Sequence, residues 1–338
     1  MQTIDLRSDT VTRPGPGMRA AMHDAAVGDD VFGDDPTVNR LQASLAERLG
    51  FQAGLFFPSG TQSNLAALMA HCQRGDEYIV GQEAHTYRYE GGGAAVLGSI
   101  QPQPLANQAD GSIAVADIEA AIKPDDVHFA RTRLIALENT IGGKVLPPSY
   151  VAEVARLAKQ RGLTLHLDGA RMFNAAVKLG VPGSEVCASY DSVSVCLSKG
   201  LGAPIGSVLC GSRDLIKSAT RWRKMLGGGM RQVGVLAAAG LYALEHHVER
   251  LADDHGNAAA LADGLAGIDE LRLEPVQTNI VYVHVPPDRC AALQRHLAEH
   301  GVIALISPKT RLVTHLDVSG KQIESVLQIF QNFFASHR

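Results

Sequence analysis

Residues 192–206 read SVSVCLSKGLGAPIG and hold a single lysine, Lys199, in an otherwise apolar, Ser- and Gly-rich setting. Val193, Val195 and Leu197 alternate with small polar residues, which predicts a half-buried strand. Gly200, Gly202, Pro204 and Gly206 follow at once and predict a turn, not a helix. A lysine shielded from water at the mouth of a buried strand is pushed toward its neutral amine, a nucleophile for carbonyl groups.

Upstream, LTLHLDGAR at 163–171 ends a second strand in a carboxylate. Leu163, Leu165 and Leu167 alternate and Asp168 closes the run, 31 residues before Lys199. That spacing is about one strand–connection–strand unit, so both groups can project into one crevice. Further upstream, PSGT at 58–61 stands between a short strand, Ala53 to Phe57, and the helix QSNLAALMAHCQ. A helix start there offers backbone N–H groups and a positive dipole end to an anion, with Gly60 allowing close approach and Thr61 adding a hydroxyl. An amine that can form an imine, a carboxylate that can pair with a pyridinium nitrogen and a phosphate cradle are together what pyridoxal phosphate needs from a protein.

The rest of the chain fits this frame. EYIV, AAVLGS, RLIALEN, LTLHLDG, SVSVCLS and PIGSVLCG predict six more strands, with the helices VNRLQASLAERL and SYVAEVARLAKQR between elements. Strand and helix in alternation predict an α/β fold with a mostly parallel seven-stranded sheet flanked by helices. Ligands in such sheets collect beyond the carboxyl ends of the strands. From about 212 to 265 the pattern is helical, interrupted by GGG at 227–229. Strands near 279–285 and 311–316 then alternate with helices near 288–300 and 319–335, which predicts a small C-terminal α+β domain. The expected division is 1–245, with an N-terminal arm over the first 36 residues, and 246–338.

Composition narrows the function classes. Hydrophobic residues are 46% and charged residues 20% of 338, ordinary for a soluble enzyme, and a net charge of -4 without a basic block gives no reason to expect nucleic acid. The longest apolar run, VGVLAAAGLYAL at 233–244, is shorter than the roughly 20 residues a membrane span needs. The first residues, MQTIDLRSDTVTRP, lack the apolar core of a signal peptide. Five cysteines without a C-x-x-C pair and histidines without H-E-x-x-H predict neither disulfides nor a metal site, and a cytoplasmic setting. GLGAPIG at 200–206 is one residue too long for a dinucleotide fingerprint.

At this point the chain resembles the low-specificity L-threonine aldolases, fold-type-I pyridoxal phosphate enzymes of the aspartate aminotransferase superfamily. The resemblance runs through DLRSDTVTRP at 5–14, VGDDVFGDDPTVN at 27–39, FPSGTQSNL at 57–65 and AH at 84–85. It continues through GGAAVLGSIQPQP at 92–104, LENT at 137–140, LDGAR at 167–171, SVCLSKGLGAPIGS at 194–207, RWRKMLGGGMRQ at 221–232 and RLVTHLDV at 311–318. It implies reversible cleavage of L-threonine and L-allo-threonine to glycine and acetaldehyde, in a homotetramer built from dimers. Lys199 would carry the cofactor as a Schiff base, Asp168 would hold the pyridine nitrogen protonated, and Arg171 would pair with the phenolic oxygen. His85 would stack on the ring, and Gly60 and Thr61 would hold the phosphate. Lys224 and Arg231 would add cationic charge, reaching a neighbouring subunit's site, while Arg311 and Ser8 would grip the substrate carboxylate.

His85 and His128 are both candidates for the base that takes the β-hydroxyl proton, since an imidazole titrates near ~6.5. The family often carries His-Asn after LENT, whereas Ile141 and Gly142 stand there in this chain, which affects the ranking of substrates. An aminotransferase or a β-eliminating lyase would share Lys199, Asp168 and the cradle; the arm and GGGMRQ argue against both.

Overall fold

In the computed structural model, which describes residues 3–336, seven strands form the central sheet. From edge to edge they run Ala53–Phe57, Ser207–Gly211, Ser192–Cys196, Thr164–Gly169, Arg131–Glu138, Asp76–Gly81 and Gln101–Leu105. Ser207–Gly211 is antiparallel to both neighbours and the other pairings are parallel. Helices cover both faces. On one face, Gly60–His71 packs on Ser192–Cys196, whose five residues are all buried. The alternation of Val and Ser in that strand therefore does not mark a solvent face. Its serines are satisfied inside, as in the 2.7 Å bond from Ser194 Oγ to Ser63 Oγ, and their small size lets the helix approach.

Local chemistry sets the helix ends. Asp35 caps Pro36–Leu49 by accepting from Thr37 and Val38 N–H, and Gly50 closes it at φ 80°, where a side chain would be strained. Leu41 and Leu45 on its inner face are fully buried; truncating either to Ala would cost about 2–5 kcal/mol.

Two expectations are corrected. The segment AAVLGS is not a strand: Gly93–Val96 is a helical turn, and the edge strand is Gln101–Leu105. Pro102 and Pro104 are tolerated there because an edge strand has one side without a partner. The helical region from 212 is three helices, Arg213–Met225, Gly234–His246 and Leu251–Ala266. The last of these helices reaches both apolar cores. Leu251 still packs in the larger apolar core, whereas Ala258, Leu261 and Leu265 pack in the smaller one with Val281, Val283 and Phe330. The changeover thus falls within Leu251–Ala266.

The arm is shared. Ile4 and Leu6 are buried in the smaller core, and Ile4–Asp5 pairs in parallel with Val302–Ile303. The small domain adds a three-stranded antiparallel sheet of Lys309–Val313, Ile280–His284 and Arg272–Leu273.

Candidate active site

Three neighbouring parallel strands end at one place. Glu138 closes Arg131–Glu138 and pairs in register with Asp168 on Thr164–Gly169, while Lys199 follows the end of Ser192–Cys196. Above them opens a cleft of about 770 Å³ lined by Lys199, Arg171, His85 and Glu138 from the large domain, Tyr282 and Arg311 from the small one, and Ser8 from the arm. Tyr282 and Arg311 face each other across their strands. The turn after Lys199 is held by Gly202 at φ 75°, where a Cβ would lie 2.4 Å from Leu316. Lys199 itself is half-buried, not shut off from water as the strand pattern implied. No hydrogen bond or ion pair among the described residues holds its Nζ.

The carboxylates around it are unequal. Burial by itself would raise Asp9, but the charge and hydrogen bonds of Arg171, then Lys199 and Asn279, hold it down at about 2. Arg171 meets Asp9 through Nε and Nη2 at 2.7 and 2.6 Å. Glu138 is pushed up to about 7, first by loss of hydration and then by the charge of Asp168, although its Oε2 accepts the His85 backbone N–H at 2.7 Å. His85 Nδ1 lies 2.8 Å from Glu90 Oε1, and that bond raises the imidazole above its ordinary value. Glu90 is itself raised by burial. The ligand-type atoms of His85, Glu90 and Asp168 lie within 4.8 Å of one another.

The helix that starts at Gly60 opens with backbone donors. Ser59 caps Gly60–His71 by accepting from Gln62 N–H, which leaves the N–H groups of Gly60 and Thr61 for an outside anion. Beside them, Ser207 Oγ is buried without a hydrogen-bond partner among the described residues, 3.5 Å from where a Cβ on Gly60 would sit.

Residues 5–287 match the family of beta-eliminating lyases. Over 98% of this chain and 99% of its own length, the low specificity L-threonine aldolase of Escherichia coli (strain K12) is 55% identical. The chain belongs to the beta-eliminating lyase family. Low-specificity L-threonine aldolase 1 of Arabidopsis thaliana is 44% identical over 98% of this chain and 96% of its own. A solved structure of Leishmania major threonine aldolase superposes with a TM-score of 0.83, covering 98% of this chain and 99% of its own at 22% identity; that likeness carries the fold.

Not every residue singled out in the sequence meets at the cleft of this family member. His128 is exposed and bonds Asp126 at 2.6 Å. It precedes the strand Arg131–Glu138, whose far end carries Glu138, so about 25 Å of strand separates it from the site. Within one chain it is not the base. Lys224 and Arg231 are exposed and do not line the cleft, and Arg231 pairs with Asp29 at 2.9 Å. Their loop does touch the cradle's helix: Gln62 Nε2 donates to Leu226 O at 3.0 Å, and a Cβ on Gly228 would collide with Gln62. Ile141 lines the cleft and is packed against Gly111.

Sequence reasoning passed over Asp9, Asn64, Glu90, Glu138 and Tyr282. Asp9 and Asn64 lie inside the quoted motifs RSDT and FPSGTQSNL, and Glu138 inside LENT, so the motifs carried a signal that single-residue chemistry did not.

Proposed function

We propose that the chain is a pyridoxal 5'-phosphate-dependent aldolase. It cleaves L-threonine and L-allo-threonine, and related β-hydroxy-α-amino acids, reversibly to glycine and an aldehyde. The 55% identity to a low specificity L-threonine aldolase over nearly the whole of both chains carries this reading.

The residues present fit the cofactor. The unpartnered, buried Ser207 hydroxyl beside the free N–H groups of Gly60 and Thr61 suits a phosphate. Asp168 suits a protonated ring nitrogen, and Lys199 Nζ, free of protein partners, suits a carbonyl carbon. Arg171 keeps Nη1 for the phenolic oxygen while Asp9 takes its other nitrogens. When bound, the cofactor supplies an electron sink for the pair released at Cα.

The chain's own side chains do the remaining work. Arg311 and Ser8 grip the substrate carboxylate, and so decide which bond at Cα stands upright to the ring. His85, exposed to the cleft and backed by Glu90, takes the proton from the β-hydroxyl oxygen. The Cα–Cβ bond breaks, the aldehyde carbonyl forms, and Cα takes up a proton to become that of glycine.

Assembly as a homotetramer, a dimer of dimers with shared sites, belongs to the same proposal. Val127 is 98% exposed, Phe32 76% and Val96 74%, which suits burial against a second copy. His128, Lys224 and Arg231 would then serve a neighbour's cleft. No helix among the described residues is long and apolar enough to cross a membrane. All five cysteines are unpaired, which supports a reducing, cytoplasmic setting.

The test is product analysis with the purified protein and pyridoxal 5'-phosphate. L-Threonine should yield glycine and acetaldehyde in equal amounts without a keto acid acceptor, and Lys199→Ala should lose both the turnover and the visible absorbance of the bound cofactor. A keto acid with ammonia, or retained absorbance in Lys199→Ala, would overturn the reading.

A further inference from the structure

Behind Asp168 a row of buried polar side chains crosses the sheet. Asn64 Nδ2 donates to Asp168 Oδ2 at 2.9 Å and to Glu90 Oε1 at 3.0 Å. Its Oδ1 lies 3.2 Å from His166 Nε2. His166 Nδ1 is 2.8 Å from Ser192 Oγ, and the same hydroxyl is 2.7 Å from His71 Nε2. Asn64 is 2% exposed, and His166 and Ser192 are fully buried, so each must find its partners within the row.

These contacts fix the protons. Turning Asn64 over would set its carbonyl oxygen against two carboxyl groups, so its N–H faces them and Oδ1 faces His166. That oxygen requires a hydrogen on His166 Nε2. Burial holds His166 at about 3 and His71 at about 4, so both rings are neutral near pH 7 and His166 Nδ1 is bare. Ser192 therefore donates to Nδ1 and accepts from His71 Nε2–H. An asparagine amide cannot hand a proton along, which rules out a proton wire. What remains is a line of dipoles, all with their positive ends toward Asp168.

We propose that His166 is a positioning residue: with Ser192 and His71 behind it, it locks the Asn64 amide with its N–H on Asp168 and so keeps that carboxylate aimed at the cofactor ring nitrogen. The inference rests on the reading of Asp168 given under Proposed function. A donated hydrogen bond sets which way the carboxylate faces, and partners one shell out fix the orientation of the group in contact.

The first measurement is the ring-nitrogen NMR spectrum of the full-length holoenzyme labelled with ¹⁵N-histidine. His166 is expected as the neutral Nε2–H form near neutral pH. An Nδ1–H or doubly protonated ring would overturn the proposal, whatever the cofactor does. The second is the dissociation constant of pyridoxal 5'-phosphate, read by equilibrium dialysis of the full-length holoenzyme. His166→Leu removes the donor, and should weaken binding roughly fivefold to tenfold. His166→Gln sets an amide N–H where Nε2–H stood, and should stay within about twofold of the parent. Equal affinity in all three, or equal loss in both variants, would overturn the positioning role. Asp168→Asn, measured alongside, should lose more than His166→Leu. If it binds as tightly as the parent, the reading of Asp168 falls and this proposal with it, while the tautomer stands as a separate fact. Should His166→Leu fail to fold, the tautomer and the Gln variant still decide.

Discussion

Asp9 and Arg171, 162 positions apart, close on each other through two hydrogen bonds at the floor of the cleft. The pair ties the N-terminal arm to the end of the strand that carries Asp168, and Asn279 of the small domain donates to the same carboxylate at 3.1 Å. Three separate parts of the chain thus meet on one buried anion, which makes it both a stability element and a way of holding the cleft's walls in place.

Asp9→Asn should therefore unfold more easily, because it leaves the Arg171 charge buried without its counterion. The folded pKa of about 2 lies below the ordinary 3.8, so the pair's contribution is fully present above about pH 4 and is lost as pH falls toward 2. Urea unfolding of the parent should lose about 2 kcal/mol across that window from this group, and the variant should not.

Glu138 has the opposite sign. Its pKa is raised from 4.5 to about 7, so the folded state binds the extra proton and stability is lost as pH rises from about 4.5 through 7. Glu138→Gln keeps an acceptor for the His85 N–H without the charge. It should gain up to about 3 kcal/mol over the parent at pH 8 and match it near pH 4, by the same unfolding measurement.

His85→Phe should slow cleavage of both L-threonine and L-allo-threonine by roughly 10²–10⁴. Glu90→Gln should act on the pH profile: the bond to Glu90 raises the imidazole, so its loss lets His85 shed its proton at lower pH. The acid limb of kcat/KM should move to lower pH, and an unmoved limb would take His85 out of the role.

Mixing tests the shared site. If His128 serves a neighbour's cleft, Lys199→Ala and His128→Phe, each impaired alone, should recover aldolase activity when unfolded and refolded together, because a hybrid dimer holds one cleft with both native residues. No gain over the separate variants would confine catalysis to groups of a single chain.

Much of the fold was legible because each signal was local. The alternation in LTLHLDG and SVSVCLS and the apolar spacing in VNRLQASLAERL state their elements without help from distant residues. AAVLGS misled because its apolar residues suit a strand or a helical turn equally, and only pairing with Asp76–Gly81 selects QPQPL instead. The distance of His128 from the cleft of its own chain was not legible either, because only the direction of the strand Arg131–Glu138 sets it.

By itself the sequence determined most of the strands and helices, the amine at Lys199 and the carboxylate at Asp168 near strand ends, and the helix start at Gly60 and Thr61, since each is fixed by neighbours a few residues away. Only the tertiary structure decided that Asp9 belongs to Arg171, that Glu138 and Asp168 stand side by side in register, and that Asn64 and His166 lie behind them. Those facts depend on register between strands and on how far water is excluded, which are properties of the packed chain and of no single segment.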